Sequence, residues 1–381
     1  MEFAFSPEEE SFRGVLRRFA LRHLLPNYAR WDRGEPFPRE EVKALAEVGL
    51  LGLRAPARYG GMEASYVQCG IAAEEIGRGD FNCTLFIQLT AIWAELLKMA
   101  DEGVQEEWFP PLVRGEKVFA FALTEPEVGS DAAHLRTRAT RDGDFYVLDG
   151  EKSSITFAGM ADVAVVFART GGEGARGISS FIVPLDLPGV SRSVYHSPGE
   201  KLTQRGSLFF DQVRVPASYR IGAEGEGFRQ AMTAFDFNRA IIGLCCLGAA
   251  QQSLEETIEY VKQRRAFGRP IAKFEGVSFQ IAEHLTRLEA ARLLCYKALW
   301  LRDQGLPHTK EMAMAKWMAP QVAVDAIRAC IILHGHYGYS QDLPLEQRLR
   351  DVLGLEIGDG TPEIMKLIIA REVLGREYLP Y

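Results

Sequence analysis

The sequence predicts an α+β protein laid out in three zones, helical, then β, then helical again. Apolar residues recur at helical spacing through the first zone and the last. Between them, short β-branched and aromatic runs are divided by Gly, Asp and Pro turns, the punctuation of sheet. Strand and helix do not alternate regularly, so a doubly wound parallel sheet does not fit. The zone limits predict domains over residues 1–115, 116–223 and 224–381.

The first zone opens with Ser6-Pro7-Glu8-Glu9, which supplies a capping serine, proline at the first helical position and glutamate at the third. Phe12, Val15, Leu16 and Phe19 follow on one helical face. Amphipathic stretches continue over 40–48, 66–76 and 84–99, broken by Pro- and Gly-rich joints at 54–62 and 109–115. Strands are predicted at 145–148, 163–168, 178–183 and 208–215. Gly222, Gly225 and Gly227 have the wrong spacing and context for a dinucleotide loop and read as a hinge. The helical period then returns, interrupted near 268–270, 305–307 and 334–344.

At 381 residues, with 47% hydrophobic and 25% charged side chains, the chain can bury a large core. A formal net charge of −7 gives no global case for binding nucleic acid or an anionic membrane. The longest apolar run, 240–250, falls far short of a bilayer, so no membrane span is expected. Glu8, Glu9 and Glu10 stand where a signal or transit peptide would be basic and apolar, so a cytoplasmic location is expected. The cysteines at 69, 83, 245, 246, 295 and 330 form no CxxC pair and no metal-ligand spacing with histidine. They read as small buried hydrophobes of a reducing compartment, and no metal site is expected.

The stretch 355–371, LEIGDGTPEIMKLIIAR, places Asp359 in a glycine-flanked bend just before an apolar helix. A carboxylate that faces a dry pocket becomes a stronger base, because burial raises its pKa. Alone, the bend reads equally well as a solvated turn that starts a helix. The run 123–131, LTEPEVGSD, leads out of an apolar strand, and its hydroxyls and open backbone N–H groups suit a phosphate or a polar ring edge. By composition it fits a structural turn more readily. Residues 262–269, KQRRAFGR, are a solvated basic helix end or, through Arg264, a bidentate phosphate contact.

These segments, taken with GEKSSITFA at 150–158, Asp236-Phe237-Asn238-Arg239, and ILHGHYGY at 332–339, stand in one order over residues 121–371. In that order they resemble the signatures of the acyl-CoA dehydrogenases. The resemblance implies that family's fold: an N-terminal helical domain, a middle β-domain of two small sheets in a barrel-like arrangement, and a C-terminal four-helix bundle. It implies FAD as cofactor, held by Phe121, Leu123, Thr124, Gly129, Ser130, Ile155, Thr156, Thr361 and Glu363. Arg264 and Phe267 match a segment that reaches the FAD of a neighbouring subunit, and Ile332, Gly335 and His336 match the loop at its adenosine half. Asp359 takes the place of the catalytic glutamate, while Ser130, Asp236, Arg239, Gly358 and Gly360 match positions that line the substrate. Electron-transfer flavoprotein as redox partner and a homotetramer, arranged as a dimer of dimers, are implied likewise.

The chemistry implied is α,β-dehydrogenation of an acyl thioester: the base removes the pro-R α-proton and the β-hydrogen leaves as hydride to flavin N5. In the family, two hydrogen bonds to the thioester oxygen stabilise the enolate, each worth roughly 3–4 kcal/mol. This chain departs from the family pattern at several points. Ser154 replaces tryptophan, Phe157 asparagine, Ile332 glutamine and His336 glycine, and Asn238 stands where some members carry an alternative glutamate base. A shorter base, Gly358 beside it, the small Ser154 and a short 205–208 loop suggest a wide alicyclic or α-branched acyl group such as cyclohexanecarboxyl. Residues 81–97 contain no Lys, Arg or His, which disfavours a substrate with a distal carboxylate. The alternatives are an acyl-carrier-protein thioester of a biosynthetic pathway, an oxidase, and a flavin-free binding protein on the same fold.

Overall fold

The computed structural model describes residues 4–379. Helix α1 (Pro7–Phe19) starts at the expected cap, where the Ser6 hydroxyl accepts from the Glu9 N–H at 3.2 Å and Glu9 accepts from the Ser6 N–H at 2.8 Å. Such a cap contributes about 1 kcal/mol. The chain then winds through a wide π-turn at Ala20–Leu24 into α2 (Tyr28–Asp32), an extension the sequence pattern does not reveal. Helices α3 (Arg39–Glu47), α4 (Tyr66–Gly79), α5 (Thr84–Leu97) and α6 (Glu102–Val113) follow.

The β region comprises β1 (Phe119–Ala122), β2 (Arg138–Asp142), β3 (Phe145–Ile155), β4 (Val163–Arg169), β5 (Ile178–Pro184), β6 (Val190–Val194), β7 (Gly206–Pro216) and β8 (Arg220–Ile221). The strands run in the order β6-β7-β3-β2-β4-β5-β8, with β1 parallel to β4. The two halves of this path meet through one parallel pair, Arg138 with Arg169, so the two small sheets join into a single eight-stranded sheet. Strand β4 reads as a continuous apolar run because it lies between β1 and β5 and is buried along almost its full length.

The last zone holds α7 (Gly227–Gln263), a two-stranded hairpin of β9 (Arg265–Ala266) and β10 (Arg269–Pro270), α8 (Glu275–Asp303), α9 (Thr309–His334), α10 (Leu345–Ile357) and α11 (Pro362–Leu374). Helix α9 packs on α8, α10 and α11. Gly243 brings α7 against α8 and α9; a Cβ there would lie 2.8 Å from Cys295 Sγ and 3.0 Å from Ala319 Cβ. Gly248 lets α7 cross α4 backbone to backbone, since a Cβ would fall 2.1 Å from the Glu74 carbonyl oxygen.

The chain packs into two compact units. One comprises the chain up to Glu35, Ser65–Thr84 and everything from Asp236; the other comprises Pro36–Ala64 and Leu85–Phe235. The first helical zone is thus shared out: α1, α2 and α4 pack in the first unit, while α3, α6 and nearly all of α5 accompany the sheet. In the second unit Trp93 of α5 donates to the Ala120 carbonyl of β1 at 2.9 Å. All six cysteines are buried. Among the described residues no helix is long and apolar enough to cross a membrane.

A polar knot lies inside the first unit. Asp351 accepts from the Tyr28 hydroxyl at 2.6 Å and from Asn82 Nδ2 at 3.0 Å, and Asp80 accepts from the Asn82 N–H at 2.8 Å. Burial, reinforced by Asp351, pushes the Asp80 carboxyl up to about 8. Between about pH 4 and 8 the folded chain therefore keeps a proton that the unfolded chain releases. Stability must fall as pH rises through that window, by up to about 1.4 kcal/mol per pH unit. Asp80→Asn mimics the protonated acid, so its advantage in thermal midpoint is expected to widen from pH 5 to pH 8. An advantage that stays constant across that range would contradict this account.

Candidate active site

Asp359 occupies the bend between α10 and α11. Helix α10 ends where the Gly358 N–H meets the Gly354 carbonyl, and α11 begins with Thr361 as cap and Pro362 at its first position. In between, Asp359 is left-handed at φ 58° and Gly360 follows at φ 113°. Asp is among the few non-glycine residues that tolerate this region, at a strain of about 1 kcal/mol. The positive φ of Gly360 strains any side chain there, and a Cβ would lie 2.5 Å from Met365 Cε, so that side-chain end would have to shift. Gly358 is different: a Cβ would make ordinary contact, 3.5 Å from Leu355 Cδ2, so glycine there leaves space that a side chain could fill.

The carboxylate is held by α7. Asn238 Nδ2 donates to Asp359 Oδ2 at 2.9 Å, and Asn238 is 1% exposed. One residue on, Arg239 pairs with Asp236 at 3.0 Å; Asp236 also accepts from the Thr309 hydroxyl at 3.1 Å and lies 3.2 Å from His308 Nε2. Burial holds the Arg239 guanidinium below its usual range, against Asp236 and Asp359, which favour its charge. Lys316 of α9 is a second buried cation here, with its Nζ 2.6 Å from the Gly360 carbonyl oxygen. Burial brings it down to about 8, with Asp359 the leading group that opposes the shift. Asp236, Asn238, Arg239, Gly358, Asp359 and Gly360 thus converge in one cluster. Lys316 was not anticipated; its signal was a lone lysine in the apolar run MAMAKWMAP.

In the second unit, 123–131 is tied down at its base and open at its tip. The Ser153 N–H donates to the Thr124 carbonyl at 2.9 Å, which joins the loop to the end of β3. Glu125 accepts from the Arg136 N–H at 2.6 Å, the Thr137 N–H at 2.9 Å and Lys152 Nζ at 2.8 Å, while Lys152 also reaches the Leu123 carbonyl at 2.9 Å. Burial works against the Glu125 charge, but Lys152 and these hydrogen bonds outweigh it and hold the carboxyl below its usual range. Lys152 itself is pushed down by burial to about 8. Leu123 is buried, Phe121 and Thr124 are half-buried, and Gly129 and Ser130 are exposed.

The segment after Lys152 turns sharply, with a break in the β3–β7 register and left-handed backbone at Ser154 and Phe157. Ile155 is buried and Thr156 half-buried between them. Phe157 is fully buried, and its ring stacks on Phe86 with centroids 4.3 Å apart. Its replacement of asparagine is therefore a packing change, whereas Ser154 is exposed.

The remaining predicted residues lie on the surface of the first unit. Phe267 and Gly268, both at positive φ, form the tight turn of the β9–β10 hairpin, and Phe267 is 93% exposed beside the exposed Arg264. Ile332, Gly335 and His336 are exposed where α9 ends. Thr361 and Glu363 start α11, away from the hairpin in sequence and part of the Asp359 bend.

Models of the N-terminal, middle and C-terminal domains of acyl-CoA dehydrogenase match residues 6–116, 120–213 and 225–374. The chain belongs to the acyl-CoA dehydrogenase family. That family is FAD-dependent and acts on CH–CH bonds. A short-chain-specific acyl-CoA dehydrogenase of Clostridium acetobutylicum is 36% identical over 98% of this chain and 100% of its own. The structure of butyryl-CoA dehydrogenase from Megasphaera elsdenii superposes with TM-score 0.94 at 32% identity, covering 98% of this chain and 100% of that one. A prolyl acyl carrier protein oxidase superposes with TM-score 0.92 at 30% identity, over 97% of this chain and 100% of that one. Within the second unit, the hydroxyls of Thr124, Ser130 and Thr156, with Gly129, where an added Cβ meets nothing within 4 Å, are groups of the kind that suit the polar edge of the family's cofactor.

Proposed function

We propose that this acyl-CoA dehydrogenase acts on a wide acyl thioester, alicyclic or α-branched, with Asp359 as the base. The observation that carries this reading is the bend itself. A short carboxylate is held in a left-handed turn by Asn238, beside a glycine at which a Cβ would make only ordinary contact. Aspartate is one methylene shorter than glutamate, so a substrate that presents its α-carbon closer to the protein restores the reacting distance.

In this reading Asp359 takes the α-proton onto its carboxylate, and its own N–H faces the thioester oxygen as the charge develops. Asp236, Arg239, Gly358, Gly360 and Ser130 line the bound thioester. Phe121, Leu123, Thr124, Gly129, Ser130, Ile155, Thr156, Thr361 and Glu363 hold FAD, which when bound accepts the β-hydrogen as hydride. Asn238 cannot act as a base, which leaves the proton transfer to Asp359.

The exposed apolar residues Phe267, Ile332 and Tyr339 support a covered face, as in a homotetramer built as a dimer of dimers. There Arg264 and Phe267, with Ile332, Gly335 and His336, would serve the FAD of a neighbouring subunit. Electron-transfer flavoprotein is the proposed acceptor and the cytoplasm the proposed location. The domain limits 1–115, 116–223 and 224–381 belong to the same proposal.

Anaerobic titration of the purified yellow protein tests the substrate class. Cyclohexanecarboxyl-CoA or isobutyryl-CoA is expected to bleach the flavin, with octanoyl-CoA far slower; preference for linear butyryl-to-octanoyl thioesters would overturn the wide-substrate reading. A second reading, a carrier-protein thioester, draws on the likeness to the prolyl acyl carrier protein oxidase. It gains ground if no CoA thioester bleaches the flavin.

A further inference from the structure

Lys316 lies on α9 and is 1% exposed. Both of its hydrogen bonds go to main-chain carbonyls: Gly360 at 2.6 Å and Glu356 at 3.3 Å. These carbonyls bracket Asp359, one in the last turn of α10 and the other immediately after the acid. A buried ammonium that meets neutral carbonyls alone is expensive, because desolvation disfavours its charge. It persists when a negative group nearby offsets that loss. Here Asp359 is the foremost such group, followed by Cys246 and Glu356, with Arg239 opposing.

The bend that Lys316 touches also needs support. Asp359 sits at φ 58° and Gly360 at φ 113°, a conformation that a free loop would leave. One donor that binds carbonyls on both sides of a residue removes much of that freedom. The same cation favours the ionised carboxylate over the protonated one.

We propose that Lys316 is a positioning residue for the dehydrogenation: it clamps the bend on both sides of Asp359 and keeps that carboxylate ionised between turnovers. The inference rests on Asp359 being the base. Other charged or titratable groups around the pair are Asp236, Arg239 and Cys246 on α7, Glu356 on α10, Asp325 on α9 and Arg371 on α11. Lys316 differs from all of them in touching the backbone of the bend.

The test is the pH profile of anaerobic flavin reduction in holoenzyme, for wild type, Lys316→Met and Lys316→Arg, with the thioester that bleaches wild type. Lys316→Met is expected to move the acid limb up by about one pH unit and to lower the maximal rate about 10- to 100-fold. Lys316→Arg keeps the charge but not the two-carbonyl fit, so it should keep the acid limb and lose at least about tenfold in rate. A Lys316→Met profile that overlays wild type overturns the proposal. So does a lowered Tm with an unmoved acid limb, which would make Lys316 merely structural. Should Lys316→Met fail to fold, a Lys316→Arg enzyme with wild-type rate overturns the clamp. Wild type that no thioester bleaches removes the underlying reading itself, whereas an active wild type matched by Lys316→Met removes Lys316 alone.

Discussion

Asp359→Asn is expected to give a folded, yellow protein whose flavin no longer bleaches with the thioester that reduces wild type. Asparagine tolerates the left-handed region as well as aspartate does, and its amide oxygen can still accept from Asn238 Nδ2, now 2.9 Å from Asp359 Oδ2. Fold and cofactor are therefore retained while the base is lost, and the rate of reduction should fall about a thousandfold or more. Asp359→Glu extends the carboxylate by one methylene in the same frame. If the short base serves a wide substrate, that variant should gain on linear thioesters and lose on cyclic ones. Retention of near wild-type reduction by Asp359→Asn would show that another group takes the proton.

The largest effect on stability is expected at Lys152. Lys152 is fully buried against Glu125, which is 6% exposed. Lys152→Met keeps the volume but strands a buried carboxylate, a change that typically costs about 3–5 kcal/mol. It also frees the Leu123 carbonyl and the base of the 123–131 loop, so FAD should dissociate more readily. Adding Glu125→Gln removes the stranded charge, and the double variant is expected to regain most of the lost stability. Thermal melts of the four proteins in the cycle decide it. A Lys152→Met protein within about 1 kcal/mol of wild type would show that the pair is not the anchor of the loop.

Much of this was legible in the residues. The capping box at Ser6, the apolar strands over 163–168 and 178–183 and the helices after Gly227 depend on local spacing, which a single segment displays by itself. The Asp359 bend was equally visible, because Gly-Asp-Gly-Thr-Pro carries the left-handed turn, the cap and the helix start in five consecutive residues. Phe157 was not legible in this way: nothing in the string around it shows that its ring, at a residue with positive φ, is buried against Phe86.

By itself the sequence determined the three-zone layout, the family, and the glycine-flanked bend that carries Asp359, the proposed base. Each of these rests on local strings and on their order along the chain. The tertiary structure alone decided which residues attend that acid. Asn238 meets Asp359 across 121 positions of chain, and Lys316 reaches Gly360 across 44. It also decided that α1, α2 and α4 pack in one unit while α3 and α6 pack in the other, although they alternate along one helical zone. The physical reason is common to both. Local conformation follows from neighbours in the chain, but a contact between distant elements depends on which faces become buried together, and no single segment records its partner.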